Sequence, residues 1–129
     1  MIEDLIQNLI AISLGMMLFF SFIIAPIIFK VLSAKDAGKF VRKIFPYYYI
    51  VNLSFLLVVV GLFFFISSVG FDFYITLTIV ILFVFLLFFL MPLINKFKDN
   101  KEEKKFGYSH GLSVIINFIQ IIGLIYLII

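Results

Sequence analysis

Apolar residues fill four long stretches of the chain, and none of these stretches contains an Asp, Glu, Lys or Arg. A helix needs about 20 apolar residues to cross a hydrocarbon core about 30 Å thick, and each stretch is long enough. The pattern therefore predicts an all-α, polytopic membrane protein in which a four-transmembrane-helix bundle forms a single domain over residues 1–129. The predicted spans cover about residues 5–29, 46–69, 73–95 and 107–129.

The polar segments between the spans divide the charges unevenly. All ten Lys and Arg residues lie in segments 30–45 and 96–106, whereas the turn between spans two and three carries only Asp72. Short basic loops of membrane proteins face the cytoplasm, so we expect both basic loops there and both termini outside, in a bacterial inner (plasma) membrane. Because these loops are short and tethered to the membrane surface, we expect the lipid bilayer, and no nucleic acid, as a partner.

The first basic loop has the pattern of an amphipathic helix. Ser33, with Asp36 three residues later, resembles a helix-capping pair, and apolar residues then recur on one side through Phe45. We expect a basic helix lying in the membrane interface between spans one and two. Pro46 is expected to begin span two, and Pro92 to end or bend span three.

Polar residues inside the predicted spans gather on one face of the last span. On a helix with 100° per residue these side chains fall within an arc of about 80°, and Tyr48 and Asn52 form an i, i+4 pair in span two. Hydrocarbon cannot satisfy amide groups, so the face is expected to point into the bundle, against spans one and two. The four residues of this face are His110, Ser113, Asn117 and Gln120.

Three interpretations of that polar face remain open. Its side chains bond helix to helix, at about 0.6 kcal/mol each and up to about 1.7, or they line a site for a small ligand, or His110 ligates haem or a metal ion. We expect no cofactor and no metal site, because the chain has no Cys and a single His. The lack of ionised residues within the spans argues against an ion-coupled pump.

Small residues spaced four apart suggest where helices approach closely. Ala11 and Gly15 form such a pair in span one, and Gly107 and Gly111 form another at the start of span four. Pairs of this kind often lie where two membrane helices touch.

Several short motifs resemble a known family. "SLGMMLFFSFIIAPIIF", "AGKFVRKIFPYYY" and "SHGLSVIIN" are similar in order and spacing to motifs of the small four-span family typified by transmembrane protein 205 and by a bacterial domain of unknown function. The resemblance implies an integral membrane protein of unassigned activity. A more distant likeness to CopD-like and HemJ-like proteins rests on four spans and a membrane histidine. The positions that match the family motifs include Gly15, Pro26, Phe29, Phe45, Pro46 and Pro92.

These observations favour a non-enzymatic membrane protein. We expect a polar pocket near the cytoplasmic surface that binds or passes a small ligand, or supports a partner, with the six residues of the last-span face and the Tyr48–Asn52 pair as candidates. The alternatives are a haem- or porphyrin-linked oxidoreductase of the HemJ type and a purely structural or assembly subunit. The sequence leaves a homo-oligomer open.

Overall fold

The computed structural model describes all 129 residues, and they form an all-helical bundle. Four helical segments are long and apolar enough to cross a membrane: Ile2–Val31, Ala34–Phe65, Phe71–Asp99 and Glu103–Ile128. Two of them contain a π-helical turn, so the chain has six α-helices. These are α1 (Ile2–Phe19), α2 (Ala25–Val31), α3 (Ala34–Phe65), α4 (Phe71–Phe85), α5 (Met91–Asp99) and α6 (Glu103–Ile128).

The four spans alternate in direction, since each is joined to the next by a short connection. Helix α1 packs against α3 and α6, and α4 packs against the same two neighbours, so the spans follow one another around the bundle. The connections at 32–33 and 100–102 consequently lie at one end, which we call the basic end because residues 30–43 and 96–105 carry all ten Lys and Arg.

The interior of the bundle is largely apolar, and so is the surface of its four spans. Ile10, Leu56, Phe83 and Leu124, one from each span, are fully buried. Outward-facing side chains such as Phe64 are nevertheless large and hydrophobic. An apolar surface on helices of this length is stable when lipid surrounds it. The chain is therefore an integral membrane protein with four candidate spans, as the uncharged stretches predicted.

The prediction of a separate interfacial helix is not confirmed. Ser33 does cap a helix, its Oγ accepting a hydrogen bond from the Asp36 backbone N–H at 3.2 Å, but α3 then continues without a break to Phe65. Pro46 accordingly lies inside α3 rather than in its first turn. Its missing N–H leaves only the Arg42 carbonyl without a helical partner, which the helix tolerates.

The other two prolines each follow a π-helical turn. The N–H groups of Ala25 and Met91 donate five residues back, to the carbonyls of Phe20 and Leu86. A proline ring crowds the carbonyl four residues before it, and the wider turn gives that carbonyl room. The helix therefore passes through Pro92 instead of ending there, as α5 runs on to Asp99.

Close helix packing occurs at a glycine outside the predicted small-residue pairs. A Cβ at Gly15, Gly107 or Gly111 would have no neighbouring atom within 4 Å, so these glycines allow no close approach. A Cβ at Gly123 would lie 2.9 Å from Cδ1 of Ile79. Gly123 thus lets α6 approach α4.

Candidate functional site

A cavity of about 470 Å³ opens at the basic end, between α3, α5 and α6. Four basic side chains and no acidic one line it, while its deeper wall is largely apolar. We call it the outer cavity. Its volume lies within the range of about 300–1,000 Å³ that is usual for small-molecule sites. The lining residues are Phe29, Ala34, Lys35, Gly38, Lys39, Val41, Arg42, Phe45, Tyr49, Met91, Ile94, Asn95, Lys98, Phe106, His110 and Ser113.

A second cavity of about 160 Å³ lies deeper, between the π-helical turn Phe20–Ile24, α2, α3 and α6. It is lined mainly by aromatic and small side chains, and we call it the inner cavity. Five residues line both cavities, so the two spaces share a wall. The shared residues are Phe29, Phe45, Tyr49, His110 and Ser113.

Hydrogen bonds between spans hold the inner cavity together on one side. The Tyr48 hydroxyl donates to Oδ1 of Asn117 at 2.8 Å, and Nδ2 of Asn117 donates to Oγ of Ser21 at 2.9 Å. Ser21 lies in the π-helical turn that precedes Pro26. Asn117 therefore joins α6 to both the first and the second span, and both of its amide atoms are bonded.

Asn52 makes a second link that is completely buried. Its Oδ1 accepts a hydrogen bond from Ser13 at 2.8 Å, and its Nδ2 donates to the Tyr48 carbonyl at 2.8 Å. Asn52 lines neither cavity. The hydrogen bonds of Asn52 and Asn117 join five residues, which we call the polar clamp: Ser13, Ser21, Tyr48, Asn52 and Asn117.

Gln120 faces a different neighbour from the one expected. Its Nε2 donates to the backbone carbonyl of Ile79 in α4 at 3.2 Å, and its Oε1 is buried without a hydrogen-bond partner. The sequence pattern predicted contact with spans one and two, which is wrong for this residue. Nothing in a sequence marks Ile79 as the acceptor, because its backbone carbonyl is common to every residue.

The side chains of His110 and Ser113 form no hydrogen bond to another span, unlike those of Asn117 and Gln120 on the same face. The imidazole of His110 stacks on Phe106 with ring centroids 5.8 Å apart, and it has no hydrogen-bond partner in the protein. Ser113 Oγ donates to the His110 carbonyl of its own helix at 2.6 Å. Both residues line both cavities, where the two ring nitrogens of His110 have no partner in the protein and Ser113 Oγ can still accept a hydrogen bond.

The expected site residues thus separate into three groups. His110 and Ser113 line both cavities, Tyr48 and Asn117 line the inner cavity within the clamp, and Asn52 and Gln120 lie elsewhere in the core. Among the positions that match the family motifs, Phe29 and Phe45 line both cavities. Pro26, Pro92, Pro46 and Gly15 line neither.

Several lining residues were not expected from the sequence. Tyr49 lies in both cavities, and Gly38 and Phe106 lie in the outer one. The lysines of the two basic segments were interpreted as topology markers and, in the first segment, as the polar side of an interfacial helix. Lys35, Lys39 and Lys98 could have been found by noting that antiparallel packing brings both basic segments to the same end of the bundle.

An ion pair joins the two basic segments across the mouth of the outer cavity. Arg42 of α3 binds the Asp99 carboxylate at the end of α5, and the same guanidinium donates to the Asn95 carbonyl at 3.2 Å. Both charged side chains are substantially exposed, and exposed pairs contribute about 0–1 kcal/mol. The pair therefore fixes geometry more than it adds stability.

The side chains present offer few ligands for a metal ion. The structure has no group of three or more His, Cys, Asp or Glu side chains that could hold one. What the cavities offer instead is cationic side chains at the mouth and aromatic walls further in.

The fold and the cavities define a four-span integral membrane protein with a basic-end pocket. Residues 8–103 match the model of a family described as a domain of unknown function, DUF4149, and the chain belongs to this family. It is also 34% identical over 117 residues to an uncharacterized protein of Aquifex aeolicus (strain VF5), covering 89% of this chain and 85% of that protein. No solved structure matches the chain.

Proposed function

We propose that this protein binds or passes a small ligand through the two cavities at its basic end and performs no chemistry on it. The observation that carries the proposal is the shared wall of the cavities, to which Phe29, Tyr49 and His110 belong. Apolar walls with a few convergent polar groups are typical of ligand sites.

The polar residues differ in whether they bond to other helices, and this difference supports ligand binding over a purely structural role. Asn117 and Asn52 already use their amide groups to bond helix to helix. His110, in contrast, leaves both ring nitrogens without partners although it lines both cavities. A polar group that contributes nothing to helix association is available for binding.

We further propose that the basic end faces the cytoplasm, with both termini outside. The support is the concentration of all ten Lys and Arg residues at that end, the distribution that short cytoplasmic loops show. The resemblance to the transmembrane protein 205 family stays a prediction, and it implies no activity.

The N-terminal part of α3 is proposed to lie at the membrane interface. Helix α3 has 32 residues and is about 48 Å long, which exceeds a hydrocarbon core of about 30 Å. Residues 34–45, with their basic and apolar sides, are the part that would extend into the headgroup layer. They also supply much of the outer cavity's wall.

Filling the outer cavity tests the proposed binding function. A Cβ at Gly38 would have open space around it, and Gly38 lines the outer cavity, so Gly38→Leu projects a side chain into that space. Gly61 is the matched control, because it also lies in α3, has equally open surroundings and lines neither cavity. Both changes are expected to favour the helix by about 0.5–1 kcal/mol.

The measurement is mass spectrometry of small molecules that co-purify with each protein from its native membrane, alongside a thermal melt. We expect wild type and Gly61→Leu to carry the same compound, and Gly38→Leu to lose it without a lower melting temperature. Identical spectra from all three proteins would contradict the proposal.

A further inference from the structure

We infer that the two cavities bind one anionic lipid, with its headgroup at Lys35, Lys39 and Lys98 and the first part of its acyl chains in the inner cavity. This inference rests on the proposed function, since it names the class of ligand for the same site. It follows from the charges at the mouth, the apolar interior and the way in which the inner cavity meets the bilayer.

The mouth of the outer cavity carries cationic groups without counter-ions. The three ion pairs of the protein use Arg42, Lys105 and the N-terminus, so Lys35, Lys39 and Lys98 have no carboxylate within 4.0 Å. No acidic side chain lines the cavity. The Lys98 ammonium lies 4.9 Å from the centre of the Phe106 ring, which positions it beside the apolar wall. The complementary group is an anion such as a phosphodiester.

The walls of the cavities behind those lysines are apolar, so they fit a hydrocarbon chain better than a second charged group. Phe29, Phe45 and Tyr49 form the boundary between the two cavities, and the inner cavity continues between Phe20 and Phe118. A small hydrophilic anion would gain nothing from these walls. A molecule with an anionic head and an apolar tail can place the tail against these walls, which are as apolar as the bilayer interior that the tail leaves.

The inner cavity also borders the surface that faces lipid. Three of its lining side chains are strongly exposed on the outside of the bundle: Phe29 is 58% exposed, Phe118 43% and Val114 40%. These residues lie on α2 and α6. A chain that enters between these helices can therefore continue into the surrounding bilayer, so the ligand is supplied by the membrane and not by the aqueous phase.

The natural absence of Cys allows the site to be probed with a single introduced thiol. Ser113 lines both cavities, and Ser113→Cys provides a thiol at their junction. The protein is reconstituted in nanodiscs, and the rate of its reaction with uncharged N-ethylmaleimide is measured. The four conditions are phosphatidylcholine alone, phosphatidylcholine with a fifth of phosphatidylglycerol, phosphatidylcholine with a fifth of diacylglycerol, and phosphatidylcholine with inorganic phosphate in the buffer.

We expect the labelling to be several-fold slower in the nanodiscs that contain phosphatidylglycerol, and unchanged by diacylglycerol or inorganic phosphate. Equal slowing by inorganic phosphate would overturn the lipid assignment in favour of a soluble anion. Equal slowing by diacylglycerol would overturn the role of the lysines. Labelling that no condition slows would also overturn the inference.

Charge-removing variants separate site binding from general attraction of anionic lipid to a basic surface. In the Ser113→Cys background, Lys35→Gln with Lys39→Gln is expected to abolish the protection. Lys101→Gln with Lys104→Gln is the matched control, because these lysines lie at the same end but line neither cavity. Equal loss of protection in both double variants would overturn the inference.

The Gly38→Leu variant distinguishes failure of the inference from failure of the proposed function. One outcome is that Gly38→Leu changes the labelling rate of the introduced thiol while phosphatidylglycerol leaves it unchanged. That result would support an accessible cavity, and with it the proposed function, and would overturn only the assignment of an anionic lipid as the ligand. If neither changes the rate, both proposals fail.

Discussion

Asn117 and His110 lie on the same face of α6, about two turns apart, and yet their side chains have different roles. Asn117 bonds to Tyr48 and Ser21, whereas His110 touches Phe106 and the two cavities. The difference follows from position: Asn117 has polar side chains of two other spans within hydrogen-bond distance, whereas His110 lies nearer the basic end, beside both cavities.

Replacing Asn117 is expected to destabilise the bundle. Asn117→Leu leaves the hydroxyls of Tyr48 and Ser21 without their partners, and interhelical bonds of this kind contribute about 0.6 kcal/mol each, up to about 1.7. Gln120→Leu is the matched comparison. It removes one bond and also removes an acceptor that is already unpaired, so its effect should be close to zero. Thermal melts in detergent measure both, and equal melting temperatures would contradict the assigned roles.

Replacing His110 is expected to affect binding and leave stability nearly unchanged. His110→Ala removes a side chain that makes no hydrogen bond within the protein but lines both cavities. Tyr108→Ala serves as the control, because Tyr108 is 75% exposed on the same helix and lines neither cavity. The amount of co-purified ligand should fall only in His110→Ala. A lower melting temperature with unchanged ligand content would assign the imidazole to the fold.

The sequence predicted these residues unequally, for a physical reason. Polar side chains in a hydrocarbon environment must be satisfied, which correctly placed Asn117 inside the bundle. The same rule does not name the partner. Gln120 was assigned to the wrong neighbour because its acceptor is the backbone carbonyl of Ile79, and Tyr49 was overlooked because an aromatic residue in a span is ordinary.

At the scale of elements, the four spans were predictable and their internal details were not. Uncharged stretches of sufficient length determine which segments cross the membrane, and the four helices confirm this. Proline has two roles, however: it starts helices and it is tolerated within them. Pro46 was assigned the first role and has the second. No pattern in the sequence predicted the π-helical turns before Pro26 and Pro92.

Gly123 provides a test of the packing between α4 and α6. Gly123→Leu forces a side chain against Ile79, where a Cβ alone would already lie 2.9 Å from Cδ1. Overpacking of this kind costs about 1–3 kcal/mol, so the melting temperature should fall. Gly111→Leu, in the same helix with no atom within 4 Å of its added Cβ, should melt at or above the wild-type temperature. The reverse order would contradict the observed packing.

At the scale of the whole molecule, the two ends of the bundle differ: one end is closed by contacts between spans, and the other contains the outer cavity. The end of the bundle that carries the termini is joined by contacts such as Gln7 Nε2 to the Leu127 carbonyl at 3.1 Å. At the basic end the outer cavity lies between α3, α5 and α6, and the Arg42–Asp99 pair joins α3 to α5. Sequence analysis placed a polar pocket near the predicted cytoplasmic surface, but it could not give the cavity's shape, which depends on how α3, α5 and α6 pack.

The proposed orientation in the membrane, with the basic end in the cytoplasm, rests on the same charge distribution and can be tested directly. An introduced thiol at Asn100, in the basic-end connection, is expected to react with a membrane-impermeant reagent only after cell lysis. One at Ser68, in the connection at the opposite end, should react in intact cells, and the chain has no Cys of its own to interfere. The reverse labelling pattern would place the cavities on the outer surface.

The account depends most directly on an accessible space at the basic end. Ser113 and Ser109 lie one turn apart on α6 and are 9% and 8% exposed, but only Ser113 lines the cavities. The decisive measurement is the rate at which N-ethylmaleimide labels Ser113→Cys and Ser109→Cys in nanodiscs of phosphatidylcholine. We expect much faster labelling of Ser113→Cys; equal rates would show that the basic end holds no cavity open to small molecules.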